Sequence, residues 1–164
     1  MTITLKNGKN IDLDWSFLVL EYLEEYEGGI KQLKKDITAQ KNQMRIHNQF
    51  IYAIVRANYD EVLTYRQAVS LVNFKDSEKI GKFIQDNMKE LEEFKKKRSE
   101  IYSPGNEEEK INWAEIKYCA LQMGLSEREF MKINPIVFYQ MLDYHVKLER
   151  SKYGKWFKKS WISL

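Results

Sequence analysis

Proline and glycine are scarce in this sequence, at 2 and 7 of 164 residues. A fold of many short strands needs far more turn material, so the shortage favours helices. Cysteine occurs once, as Cys119. A single thiol excludes an internal disulfide framework and suits a reducing cytoplasm. Histidine occurs only as His47 and His145, and a metal site needs more ligands at defined spacing. No apolar run approaches the roughly 18 residues that span a bilayer. The opening MTITLKNGKNIDL has no apolar signal region with a cleavage site. An excess of one charge is also lacking. The 27 basic and 24 acidic residues leave a net +3, which does not describe a dedicated nucleic-acid binder. What is present is 43% hydrophobic and 31% charged residues, a composition that can bury a core and argues against wholesale disorder. The length suits one ordinary domain or two small ones.

The apolar pattern divides the chain. Ile3 and Leu5, then Ile11 and Leu13, alternate with polar residues around Asn7-Gly8. This predicts a β-hairpin over residues 2–13 with a type I′ turn. A lone hairpin is marginal in water, so its apolar face needs cover. Asp14 is read as the cap of a helix whose inner side is Trp15, Leu18, Val19, Tyr22, Leu23 and Tyr26, stopped by Gly28-Gly29. Further helices are predicted from Ile30 to about Ile37, Asn42 to Asn58 and Thr64 to Val72. A longer one runs from Asp76-Ser77 to the cationic end Phe94-Lys95-Lys96-Lys97-Arg98. Pro104-Gly105 and Glu107-Glu108-Glu109 then break the pattern.

After the break, Asn112 caps a helix bearing Trp113, Ile116, Ala120 and Met123, which Gly124 ends. Ser126 to Glu129 has capping-box spacing, with Leu125 and Phe130 placed as a hydrophobic staple. Asn134-Pro135 opens a last helix with Phe138, Met141, Leu142, His145 and Leu148 on its inner face, and Gly154 loosens or ends it. The expected fold is mainly α with a small N-terminal β-hairpin. It comprises a multi-helix module over 1–98, a linker over 99–111 and a smaller C-terminal helical module over 112–164 with a basic, aromatic tail.

No constellation in this pattern carries chemistry. Cys119 lies beside Tyr118 in mid-helix and reads as a small buried apolar residue. Adjacent acids such as Glu24-Glu25 and Glu92-Glu93 point about 100° apart on a helix and do not converge. Gly28-Gly29 lacks the further glycines and lysine of a phosphate loop. No catalytic, cofactor-binding or metal-binding residue is assigned, no cofactor is expected, and the chain reads as a non-enzyme. From His145 onward, six basic side chains (Lys147, Arg150, Lys152, Lys155, Lys158, Lys159) outnumber one acid, Glu149. Tyr153, Trp156, Phe157 and Trp161 are interleaved with them. Such a tail fits packing on its own domain, docking on an acidic protein groove, or gripping single-stranded nucleic acid or a membrane surface. Trp156, Phe157 and Trp161 are therefore candidate partner-binding residues.

Two stretches resemble a known family. One is LKNGKNIDLDWSFLVLEYLEEYEGGI with the later IYAIVRANYDEVLTYRQAVSLV; the other is WAEIKYCALQMGLSEREFMKINPIVFYQMLDYH. Together they resemble the tail assembly chaperones of long-tailed, siphovirus-like bacteriophages and prophages, especially those of Gram-positive hosts. The C-terminal stretch is similar to the tryptophan, Gly-Leu-Ser/Thr, Glu-Phe and following-helix pattern of that family's C-terminal extension. The resemblance implies a transient factor in the cytoplasm of the bacterial host, absent from the mature virion. It would coat the tape-measure protein and help recruit the major tail-tube protein during tail morphogenesis. It also implies a short product with the N-terminal module alone and a long product that adds the C-terminal one, commonly by ribosomal frameshifting. Lys95-Lys96-Lys97 is compatible with an adenine-rich slippery run. Self-association, or pairing with the shorter form of the same chaperone, belongs to this reading.

The long-form reading makes Met123, Leu125, Phe130, Ile133 and Phe138 the candidate C-terminal contact patch, with Trp113 in the core. Binding is expected to be reversible helix-in-groove contact, with no membrane partner. The alternative is a small helical nucleic-acid-binding module that uses the basic aromatic C-terminal tail and weakens steeply with salt.

Overall fold

A computed structural model of the chain describes residues 1–102 and 112–153, with side chains over 1–98 and 112–149. The described residues form a mainly helical fold of eight helices and one two-stranded antiparallel hairpin. The chain divides into two compact units, Met1–Met88 and Lys89–Leu164.

The first unit opens with the hairpin, strands β1 (Thr2–Thr4) and β2 (Asn10–Asp12), in the register Ile3 opposite Ile11. Side chains alternate across a strand, so Ile3, Leu5, Ile11 and Leu13 all turn inward and are buried. On the other face the hydroxyls of Thr2 and Thr4 donate to Asp12 and Asn10 across the ladder. The turn is not type I′. Only Gly8 is left-handed, at φ +83°, and Asn7 is not. The Leu5 N–H donates to Lys9 O and the Gly8 N–H to Leu5 O, both at 2.8 Å. Three residues therefore lie in the loop, with glycine at the bulge. Asn7 serves through its side chain instead, accepting from Lys9 N and donating to the Tyr59 hydroxyl.

Helix α1 (Phe17–Glu24) starts after Ser16, not at Asp14, because Ser16 is still extended. It ends at Glu24, ahead of the glycines. Gly28 and Gly29 form the turn into α2 (Gly29–Thr38), both at positive φ. A Cβ on Gly28 would come 2.7 Å from Gln32 Cβ, and one on Gly29 would come 2.6 Å from a Glu24 carboxylate oxygen. Glu24 there also accepts from the Ile30 N–H, one of the orphan donors of the first turn of α2.

Helix α3 (Gln43–Asn58) is the centre of the unit. Every residue from Gln49 to Val55 is buried, which requires neighbours on all sides. They are α1, α2, the strand β2 and α4 (Tyr65–Leu71). Gln49, the polar member of the run, donates to the Tyr22 carbonyl at 2.5 Å. That carbonyl lies in the last turn of α1, where carbonyls lack helical partners. Helix α4 is capped reciprocally by Thr64 and Gln67, as a capping box. Helix α5 (Phe74–Tyr102) starts two residues before Asp76, because Asn73 is its cap and accepts from the Asp76 N–H at 2.8 Å. Its first turns bury Ile80, Gly81 and Ile84, with Gly81 facing the His47 ring.

The turn between α2 and α3 hangs on one buried carboxylate. Asp36 is 6% exposed and accepts from the Tyr26 hydroxyl, Gln32 Nε2 and Asn42 Nδ2, each at 2.7 Å. The Asn42 amide and the Tyr26 hydroxyl hold its carboxyl below the usual aspartate range. The same turn closes α2 with a Schellman motif. The Lys41 N–H reaches Asp36 O and the Gln40 N–H reaches Ile37 O, with Gln40 left-handed at φ +53°. Glycine is the usual residue there, because a Cβ makes that conformation costly.

The two compact units divide at Met88/Lys89, inside α5. Helix α5 continues to Tyr102, so residues 99–102 of the expected linker are helical. The reason is chemical: Leu91 is buried, Phe94 packs on Tyr139 and Arg98 pairs with Asp143, which ties the second half of α5 into the second unit.

Two outcomes follow from the α2–α3 turn. Gln40→Gly should stabilise the protein by about 0.5–1 kcal/mol, since it removes the left-handed strain without touching a bond; urea unfolding measures this. The fold lowers the Asp36 pKa, so its contribution is complete above the unfolded-state value of about 4 and is lost as pH falls through the folded-state value. Unfolding temperature should therefore drop on acidification below about pH 4, and less steeply in Asp36→Asn.

Candidate partner-binding surface

The second unit is built from the end of α5, α6 (Trp113–Gln122), α7 (Glu127–Lys132) and α8 (Pro135–Tyr153). Each short helix is bounded by local chemistry. Asn112 accepts from the Glu115 N–H to start α6. Gly124, at φ +81°, ends it through a second Schellman motif, with Leu125 N on Ala120 O and Gly124 N on Leu121 O. Ser126 and Glu129 cap α7 as a full capping box, and those bonds hold the Glu129 carboxyl below its ordinary range. Lys117 of α6 bridges to Glu127 of α7 at 2.7 Å. Asn134 accepts from the Ile136 N–H at 2.9 Å, with Pro135 in the first turn of α8.

These caps set three helices around a small aromatic core. Phe130 and Phe138 meet edge to face at 5.2 Å between centroids, and Phe138 meets Tyr139 at 5.8 Å. Ile116, Cys119, Ala120, Met131 and Leu142 complete it. Burial pushes the Cys119 thiol up to about 11, far from the thiolate form a nucleophile needs. Arg98 Nε donates to Asp143 at 2.9 Å, and its guanidinium lies 5.3 Å from the Tyr139 ring centroid, so α5 and α8 are joined by charge and by stacking.

The expected contact patch separates into two kinds of residue. Phe130 and Phe138 are fully buried, so they are core and not surface. Each is the first aromatic on the inner side of its helix, and capping aims both at the same interior. Met123, Leu125 and Ile133 are half-buried at the helix ends. Leu125 follows the left-handed Gly124 of the Schellman motif, where an apolar residue commonly folds back on the helix. Trp113, expected in the core, is also half-buried. Trp156, Phe157 and Trp161 lie outside the described residues.

The apolar surface instead runs along the outer faces of α6 and α8. Val137, Met141, Tyr144 and Leu148 are 46%, 39%, 65% and 39% exposed. They lie four, three and four residues apart, so they form one stripe on α8. The stripe sits about 110° around the helix from buried Phe138 and Leu142. Met141 and Leu148 were expected on the inner face; they belong to this outer one. On α6, Tyr118 and Leu121 are exposed while Ile116, Cys119 and Ala120 are buried. The signal for this surface was in the sequence: α8 is apolar over more of its circumference than one core contact uses.

Among the described residues, no three His, Cys, Asp or Glu side chains come together as a metal-binding group. Glu24 serves the start of α2, and the Tyr52 hydroxyl is pushed up to about 12, chiefly by burial, with the Glu25 carboxylate adding to the rise. Also among the described residues, no helix is long and apolar enough to cross a membrane. Comparison with protein-family models, with curated proteins and with solved structures gives no match.

Core and surface in this unit can be told apart by truncation. Phe138→Ala should cost about 3–5 kcal/mol, the usual loss for a buried phenylalanine. Met141→Ala, three residues on, should change stability by no more than about 0.5 kcal/mol. Equilibrium unfolding of both variants in urea checks the contrast.

Proposed function

We propose that this protein is a non-enzymatic tail assembly chaperone of a long-tailed bacteriophage or prophage, which coats the tape-measure protein and helps recruit the tail-tube protein. The reading starts from the two sequence stretches that resemble that family. Its main physical support is that α6 and α8 carry apolar side chains on their outer faces as well as on the faces they bury. A chaperone for a long amphipathic helical client needs an apolar surface of this kind, reversible in use and adaptable in shape. Met141 in the middle of the α8 stripe is a flexible, polarizable contact, and Tyr144 offers a broad ring with a polar tip. Chaperone and client work in the cytoplasm of the bacterial host, and the chaperone leaves before the virion is complete.

The test is co-expression with the tape-measure protein of the same phage. The soluble yield of the tape measure should rise several-fold, and the two proteins should co-purify. Unchanged precipitation of the tape measure in the presence of abundant soluble chaperone would overturn the reading.

A further inference from the structure

We propose that the outer stripe of α8 is a docking seam for a single α-helix of another polypeptide, one whose apolar heptad is flanked by carboxylates. This names the kind of partner surface and does not depend on the proposed client; only the identity of the partner rests on the chaperone reading.

The spacing identifies the occupant as a helix. Val137, Met141, Tyr144 and Leu148 follow the alternating four–three step of a coiled-coil seam, the pattern that keeps a second helix in register. From Val137 to Leu148 the seam runs about 17 Å, or three turns.

The flanking charge identifies the partner's chemistry. The positions that border the seam on α8 are Gln140 and Lys147 on one side and Phe138 and His145 on the other. Phe138 is buried, so the polar rim is Gln140, Lys147 and His145. Among the described side chains of α8, the only acids are Asp143 and Glu149. Asp143 is held by Arg98 at 2.9 Å, and Glu149 lies about 100° around from Leu148. The rim is thus basic to neutral with no carboxylate in it. Paired with a second copy of α8, Lys147 would meet Gln140 and His145 would meet Phe138 in the antiparallel arrangement, and His145 would meet Gln140 in the parallel one, so no opposite charges come together at the rim of a homodimer. A helix with glutamate or aspartate beside its apolar stripe complements the rim.

The experiment uses the full chain and two designed peptides of four heptads with leucine in the core positions, one flanked by glutamate and one by lysine. Like charges keep each peptide from pairing with itself. In fluorescence anisotropy the glutamate peptide should bind at least ten-fold more tightly than the lysine peptide. Met141→Glu should weaken that binding at least ten-fold. Lys147→Glu should invert the preference between the peptides. Both changes fall on exposed side chains, and unchanged circular dichroism and unfolding temperature will show that each variant folds.

Absence of binding, equal binding of the two peptides, or binding indifferent to Met141→Glu would overturn the proposal. A parent dimer that Met141→Glu dissociates in sedimentation would assign the seam to a second copy, and would also overturn it. Rescue of the tape measure without peptide binding moves the docking site off α8. Peptide binding without rescue leaves the seam standing and removes the proposed client.

Discussion

The first unit depends on the burial of α3 on all sides. Seven consecutive buried residues, Gln49 to Val55, leave no solvent face over two turns. Everything around them is arranged as cover: the hairpin through its inward Ile and Leu residues, α1 through Phe17, Leu20 and Leu23, and α4 through Ala68. The polar links respect the same constraint. Gln49 closes an open carbonyl at the end of α1, and Asp36 gathers three donors at the entrance to α3. Each turns a buried polar atom that would cost stability into a fixed joint.

The second unit follows a different logic. Its interior is a small aromatic cluster, and the short helices α6 and α7 are closed by local caps. Caps satisfy helix ends locally, so the unit needs little core to hold its shape. That leaves apolar side chains on α6 and α8 beyond those the interior uses. The contrast between a fully wrapped helix in one unit and two-sided helices in the other is the main division of labour in the molecule.

The legible parts of this fold were those decided by neighbours in sequence. The inward hairpin face, the start of a helix at Thr64, the Ser126–Glu129 box, the Asn112 cap and the Gly124 stop all follow from residues close to one another in sequence. The parts that were missed depend on contacts made at a distance or on an unusual residue. Asn7-Gly8 reads as a two-residue turn, but the ladder closes at Leu5 and Lys9 and leaves three residues in the loop. Gln40 occupies a position where glycine is the familiar marker. The lysine run reads as the end of α5, yet Arg98 continues to the Asp143 pair and the helix with it. On α8, two stripes about 110° apart merge into one when only the sequence is read, which puts Met141 and Leu148 on the inner face beside Phe138 and Leu142.

The position of the unit boundary inside α5 bears on any truncated version of this chain. A product that stopped near residue 98 would keep the helix but lose Tyr139, the ring against which Phe94, Lys95 and Arg98 now lie. Leu91 and Phe94 would then stand on a bare helical stub. Under the proposed reading, the abbreviated form would be the stickier of the two, and the extension would work partly as its sheath.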